Sequence, residues 1–167
     1  VYGFADRPEY MFGSNWKFSW KGFNLGLNWI AATNVNKMLE VEYRIPFTNS
    51  GNRGLLDYFY RDCWTTENPN GTLPRAAEKS ESWNSAPSTL WLRDASYIRL
   101  KSAQFGYTFG RNKVFDRMGI NSLNVSFTGY NLLTFTNLTF QDPETVSDND
   151  GVYPLVKTYN LSVNINF

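Results

Sequence analysis

The sequence predicts an all-β fold built from five long antiparallel strands. Three observations carry that reading. Apolar and polar residues alternate through five segments of ten or more residues, while helical periodicity is scarce. The connections between the segments alternate between shorter and longer. The alternating polar positions are Asn, Ser, Thr, Gln and Gly, with few charges.

The first segment, YMFGSNWKFSW at 10–20, sets Tyr10, Phe12, Trp16, Phe18 and Trp20 on one face, with Ser14 the exception. Asn15, Lys17 and Ser19 take the other. The second, FNLGLNWIAAT at 23–33, opposes Phe23, Leu25, Leu27, Trp29 and Ala31 to Asn24, Gly26 and Asn28. Only Lys21-Gly22 separates the two, which suits a tight hairpin. The third, 95–109, alternates Ala103, Phe105, Tyr107 and Phe109 with Ser102, Gln104, Gly106 and Thr108. Ile98 and Leu100 fall out of phase, so either a bulge shifts the alternation or that end lies beyond the apolar environment. The fourth is 122–133, with Leu123, Val125 and Phe127 on its apolar face. The fifth, 156–167, carries Tyr159, Leu161, Val163, Ile165 and Phe167 against Thr158, Asn160, Ser162, Asn164 and Asn166.

The loop at 34–94 is polar and long for a compact domain, the kind of loop that is usually functional. LLDYFYRDCW within it has the makings of a short helix. The connection at 110–121 is compact, and the one at 134–154 is longer again.

Composition excludes several classes. The chain of 167 residues has a formal net charge of +1, which leaves no electrostatic footprint for nucleic acid. It has one cysteine, Cys63, and no histidine. An internal disulfide, a Cys/His zinc site and a histidine-dependent triad are therefore ruled out. No nucleophile–base pair, metal constellation or phosphate loop is present, so neither an enzyme nor a cofactor is expected. No apolar run reaches the ~18 residues of a transmembrane helix. The opening VYGFADRPEY has neither a signal-peptide pattern nor an initiator Met, and reads as an internal position of a longer polypeptide.

Alternation alone does not say whether the apolar face meets a core or lipid. A soluble sandwich or OB-type barrel would bury it. Strand length favours lipid: crossing an apolar band of ~25 Å at a tilt of ~40° takes about ten residues. Loop alternation, the uncharged polar face and the aromatics near strand ends point the same way. Five strands cannot close a membrane barrel, whose smallest type has about eight, so these are expected to be the last five of a larger one. Counting back from a periplasmic Phe167 puts Lys21-Gly22 and 110–121 in the periplasm and 34–94 and 134–154 outside.

Several blocks then resemble one family. DASYIRLKSAQFGYTF, MGINSLNVSFTGYNLLTFT, QDPE and YPLVKTYNLSVNINF are similar to the tail of SusC-like (SusC/RagA family) TonB-dependent transporters of Bacteroidetes outer membranes. RPEYMFGSNWKFSWKGFNLGLNWIAATN resembles an upstream hairpin, and YRDCWTTENPNGTLPRA a loop pattern of that family. NVNKML and Cys63 depart from it.

The resemblance implies a plugged barrel of about 22 strands, with the plug domain absent from this chain. It further implies import of large nutrients, oligosaccharides or peptides. The partners it implies are a SusD-like surface lipoprotein as lid, the TonB-ExbB-ExbD complex acting through the missing N-terminal part, the rest of the barrel, and outer-membrane lipid. A passive porin and a soluble glycan-binding β-domain are the alternatives.

Phe167, with Ile165, Val163 and Tyr159 at alternate positions, resembles a barrel-assembly signal. Trp64, Trp83, Trp91, Tyr58 and Tyr60 are candidate contacts for substrate or lid, and packing of the loop is the competing reading. Ser147–Gly151 reads as a solvated turn rather than a calcium loop, and so do Asp142 and Glu144 around Pro143. Arg111, Lys113 and Arg117 form a small basic patch on a turn.

Overall fold

A computed structural model of the chain describes residues 3–47, 54–77, 82–110, 113–138, 142–144 and 155–167. Seven strands occur among them: β1 (Tyr10–Trp20), β2 (Phe23–Thr33), β3 (Asn36–Met38), β4 (Leu92–Asp94), β5 (Tyr97–Phe109), β6 (Ser122–Thr136) and β7 (Thr158–Asn166). Five of them form one antiparallel meander in the order β1-β2-β5-β6-β7, and β3 pairs with β4 in a separate ribbon. Short helices lie between the strands: α1 (Val41–Arg44), α2 (Asp57–Asp62), α3 (Ser82–Ser85) and α4 (Lys113–Met118). Among the described residues no helix is long and apolar enough to cross a membrane.

The register turns the alternation into rungs. On the apolar face Phe18, Leu25, Phe105, Phe127 and Leu161 lie side by side across all five strands. Trp20, Phe23, Tyr107, Val125 and Val163 form the next rung toward the β1–β2 turn. Phe23 packs edge-on against Tyr107 at 4.6 Å, and Tyr107 against Phe109 at 4.6 Å. Such edge contacts add to what the buried area alone supplies. Ser14 also stands on this face, and its Oγ accepts the Trp16 indole N–H. The hydroxyl that breaks the apolar pattern thus satisfies a neighbouring donor.

The polar face carries its own ladder. Ser19 donates to Asn24 Oδ1 at 2.9 Å, Asn24 donates to Thr108 Oγ1 at 3.2 Å, and Asn124 donates to the same oxygen at 2.8 Å. Lower polarity would leave this face without partners, and charge would add a desolvation cost. Amides and hydroxyls, each able to donate or accept, close a chain of bonds across neighbouring strands.

The phase problem at Ile98 and Leu100 has a structural answer. Asn28 faces Ser102 but Trp29 faces Leu100, so Lys101 is an extra residue in β5. Opposite it, Tyr130 pairs with Ser102 and Leu133 with Leu100, so β6 carries Asn131 and Leu132 against Lys101 alone. The bulge shifts β5 by one, and Ile98 and Leu100 rejoin the apolar face opposite Ala31 and Trp29. Asn131 sits at φ 53, a conformation Asn tolerates. A Cβ at Gly129 would lie 2.6 Å from the Leu132 side chain, so the inserted leucine fills the space that glycine leaves.

Strand ends differ from the sequence reading in places. β5 starts two residues later than 95, because Ala95 and Ser96 belong to the junction with β3 and β4; Ala95 donates to Val35 O at 2.9 Å. β6 runs to Thr136, three residues past 133, because the bulge carries its pairing on to Tyr97. The connection at 110–121 holds α4, with Arg117 exposed; Arg111 lies outside the described residues. So does Ser147–Gly151.

The β1–β2 turn needs its glycine. Lys21 and Gly22 have φ of 46 and 90, the two positive values of a type I′ hairpin. A Cβ at Gly22 would stand 2.9 Å from Thr108 O, and the Gly22 carbonyl accepts from Thr108 N at 2.8 Å. Gly22→Val is therefore expected to cost about 1–3 kcal/mol. The check is the denaturant midpoint of the assembled protein; an unchanged midpoint would refute the turn's role.

Candidate functional site

Beyond the strand ends two loops meet the polar face of the sheet. The first, between β2 and β5, folds around its own core of Leu39, Phe59, Cys63, Leu73 and Trp91. β3 and β4 zip its two ends together, with Asn36 facing Asp94. Sequence reading missed this ribbon, since three-residue strands show no alternation. Phe59 from α2 stacks on Trp91 with centroids 6.2 Å apart, and the Trp91 indole donates to Asn84 O at 2.9 Å.

The five candidate aromatics therefore divide. Trp91 has 0% of its surface exposed and holds the loop core, so it has no face to offer a substrate or a lid. This corrects the expectation for Trp91: its ring is consumed by packing. Tyr58 is half-buried, its hydroxyl donating to the Tyr43 carbonyl, and burial pushes its phenol up to about 12. Trp83 (88% exposed), Tyr60 (69%) and Trp64 (44%) remain open to contact. Cys63 is buried, and its thiol lies 3.5 Å from Tyr60 O.

At the mouth of the sheet a charged cluster is built around Arg99. Its side chain is 0% exposed, yet each part of the guanidinium is matched. Nη2 lies 2.6 Å from Asp142 Oδ2, Nη1 2.6 Å from Glu144 Oε2, and Nε donates to Thr134 Oγ1 at 2.9 Å. The Tyr97 ring lies 5.5 Å from the guanidinium carbon, and its hydroxyl donates to Glu144 Oε1 at 3.0 Å. Lys101 Nζ reaches Glu144 Oε2 at 3.1 Å.

Asp142 and Glu144 are thus not a solvated turn. Pro143 between them is buried, and Glu144 N donates to Asp142 Oδ1 at 2.9 Å, which aims both carboxylates at one cation. Buried charge is tolerable only with such full pairing. Local composition could not reveal this, because the partner lies 43 residues upstream of Asp142. The out-of-phase Arg99 beside Ile98 was the available signal.

The cluster also ties the loops together. Lys37 on β3 reaches Asp142 O at 3.5 Å. Burial lowers the Lys37 ammonium from its ordinary range, with Asp142 and then Glu40 opposing that shift. Val35, Ala95 and Leu138 form a second small core at the same junction, and Thr136 donates to Ser96 O at 3.0 Å. Asp94 accepts from Ser96 N at 2.9 Å. The Ser96 hydroxyl bond, ahead of the weaker backbone and Asn137 bonds, lowers its carboxyl below the usual range. Among the described residues no group of His, Cys, Asp and Glu is placed to hold a metal ion.

Three outcomes follow. Arg99→Ala is expected to destabilise the junction by about 3–5 kcal/mol, because two carboxylates lose their cation. Limited proteolysis of 138–157 should quicken while the five-stranded sheet persists, and unchanged cleavage would refute the tie. Deleting Lys101 should leave Arg99 on the polar face, because Leu100 stays opposite Trp29, so the deletion is expected to assemble like Lys101→Ala; loss of assembly on deletion alone would refute the reading of Lys101 as the bulged residue. Asp94→Asn should lower the Tm at neutral pH. A depressed carboxylate stabilises above its unfolded value of ~3.9, and the effect is lost as pH falls through the folded value. The two Tm curves should therefore converge below about pH 4, and parallel curves would count against it.

No protein-family profile matches the chain. TonB-dependent receptor P26 of Formosa agariphila is 29% identical over 177 residues, covering 96% of this chain. TonB-dependent receptor P3 of the same organism is 27% identical over 173 residues, again covering 96%. The chain spans 17% and 16% of those relatives' lengths. Among solved structures, the RagAB peptide importer in its closed-closed state matches with a TM-score of 0.75 and 25% identity, over 96% of this chain and 17% of that one. Its open-open state matches with a TM-score of 0.71 at 24% identity, over 96% of this chain and 17% of that one. The alternating faces and the open five-stranded meander agree with these likenesses: over nearly its whole length the chain is similar to a portion of TonB-dependent receptors and shares the β-barrel fold of the matching part of the RagAB structures.

Proposed function

We propose that the chain forms part of the wall and outer loops of an active transporter that imports large nutrients, oligosaccharides or peptides, across the outer membrane. The observation that carries this reading is the five-strand meander, apolar on one face and amide-lined on the other, in a chain similar to TonB-dependent receptors. The similarity to the RagAB peptide importer supports the transport class. In this reading the polar ladder faces the lumen, and the loop core and the Arg99 cluster stand at the extracellular mouth. The chain's task is binding and passage, with no bond chemistry.

A SusD-like lipoprotein is proposed as the lid and the TonB-ExbB-ExbD complex as the energy source. Trp64, Trp83 and Tyr60 are the aromatics open to substrate or lid. In cells carrying the complete receptor, uptake of the cognate nutrient is expected to stop when the proton gradient is dissipated. Continued uptake would favour the passive-porin alternative. Trp64→Ala and Trp83→Ala are expected to weaken capture of the lid protein on affinity beads and to reduce uptake in parallel. Lost uptake with normal lid capture would instead assign them to substrate.

A further inference from the structure

On the apolar face one rung is hollow. Phe12, Ala31, Ile98 and Phe135 lie side by side across β1, β2, β5 and β6. The two phenylalanines stand 61% and 60% exposed at the flanks, while Ala31 between them contributes a single methyl. The next rung toward the β1–β2 turn is Ser14, Trp29, Leu100 and Leu133, with large side chains where the hollow rung has its small one. The result is a groove of about 670 Å³, within the ~300–1,000 Å³ range of pockets that hold small molecules. Its polarity is graded along the strands. The phenylalanines, Ala31 and Ile98 line its apolar part, and Thr33, Ser96 and Asn137 line it toward the loops.

We propose that this groove holds an acyl chain of an outer-leaflet glycolipid, with the lipid's sugar hydroxyls meeting Thr33, Ser96 and Asn137. The proposal rests on the reading that 34–94 and 134–154 lie outside the cell. Three features choose this occupant. The groove is continuous with the lipid-facing apolar rungs, so its neighbour in the membrane is lipid. Its floor strands, β2 and β5, are paired on both sides, so an extended peptide has no edge to join. Its lining carries hydroxyls and an amide but no Lys or Arg, which suits neutral sugar donors and acceptors rather than a phosphate. Phe12 and Phe135 grip the chain from either side, and Ala31 gives it depth.

The test uses the complete receptor extracted from outer membranes in mild detergent, with bound lipid read by native mass spectrometry. Wild type and Leu161→Phe, which adds bulk to the same face on β7, are expected to retain a glycolipid through detergent washes. Ala31→Phe, which fills the groove, should lose most of it. Thr33→Val with Asn137→Ala removes two of the three polar contacts without adding bulk and should lose part of it, which keeps the test decisive if Ala31→Phe fails to assemble. Equal retention across all variants, or retention of phospholipid alone, overturns the proposal. Membrane topology is read separately by protease access to 34–94 on whole cells. Protected loops would refute the orientation, whereas accessible loops with no retained glycolipid refute only the groove.

Discussion

A membrane-spanning sheet has to keep every strand's apolar side chains on one face, and a single extra residue reverses that face. In this chain the reversal is used rather than avoided. Below Lys101 the apolar positions of β5 are odd-numbered, from Ala103 to Phe109; above it they are even-numbered, Leu100 and Ile98. Without the bulge Arg99 would project into lipid, at a cost reaching ~2–4 kcal/mol at the midplane and less toward the interface. With it, the guanidinium turns to the polar face and finds Asp142, Glu144 and Thr134. β6 absorbs the shift with two residues, Asn131 and Leu132, so its own parity is unchanged. The anchoring of both loops hangs on Lys101 being looped out as a bulge rather than taken into the ladder.

The same logic of satisfied groups governs the rest of the wall. Hydrocarbon offers no hydrogen bonds, so backbone groups pair strand to strand. In the sheet of described residues β1 and β7 each lack a second neighbour, and β7 is exposed along its whole length. Those edges are where the remaining strands of the barrel belong. On the polar face the side chains follow the backbone's example: Asn24, Thr108 and Asn124 bond across strands. A ladder of neutral amides and hydroxyls offers many weak contacts and no strong one.

How far the sequence could be read depends on the range of the interactions involved. β1 and β2 were legible because alternation and the Lys21-Gly22 turn are local, and their bounds coincide with Tyr10–Trp20 and Phe23–Thr33. The bulge was half legible: the broken phase was plain, but a phase break also fits a strand leaving lipid. Asp142 and Glu144 were misread because the neighbouring DPE composition looks like any polar turn, while their partner is a distant arginine. Trp83 and Trp91 are the same residue type in the same loop. Only the closing of β3 on β4, which draws Trp91 onto Phe59, separates a buried core tryptophan from an exposed one.

The ribbon that closes the long loop has a consequence for how such proteins diversify. Because Asn36 and Asp94 are paired, the loop leaves the wall and returns to it within one strand spacing. Between them, Leu39, Phe59, Cys63, Leu73 and Trp91 form a core belonging to the loop itself. Lengthening such a segment costs only ~0.6 kcal/mol for each doubling, provided its ends stay joined. The segment is in effect a cassette: it can be exchanged, extended or rewritten by selection while the register of the wall beneath it stays as it is.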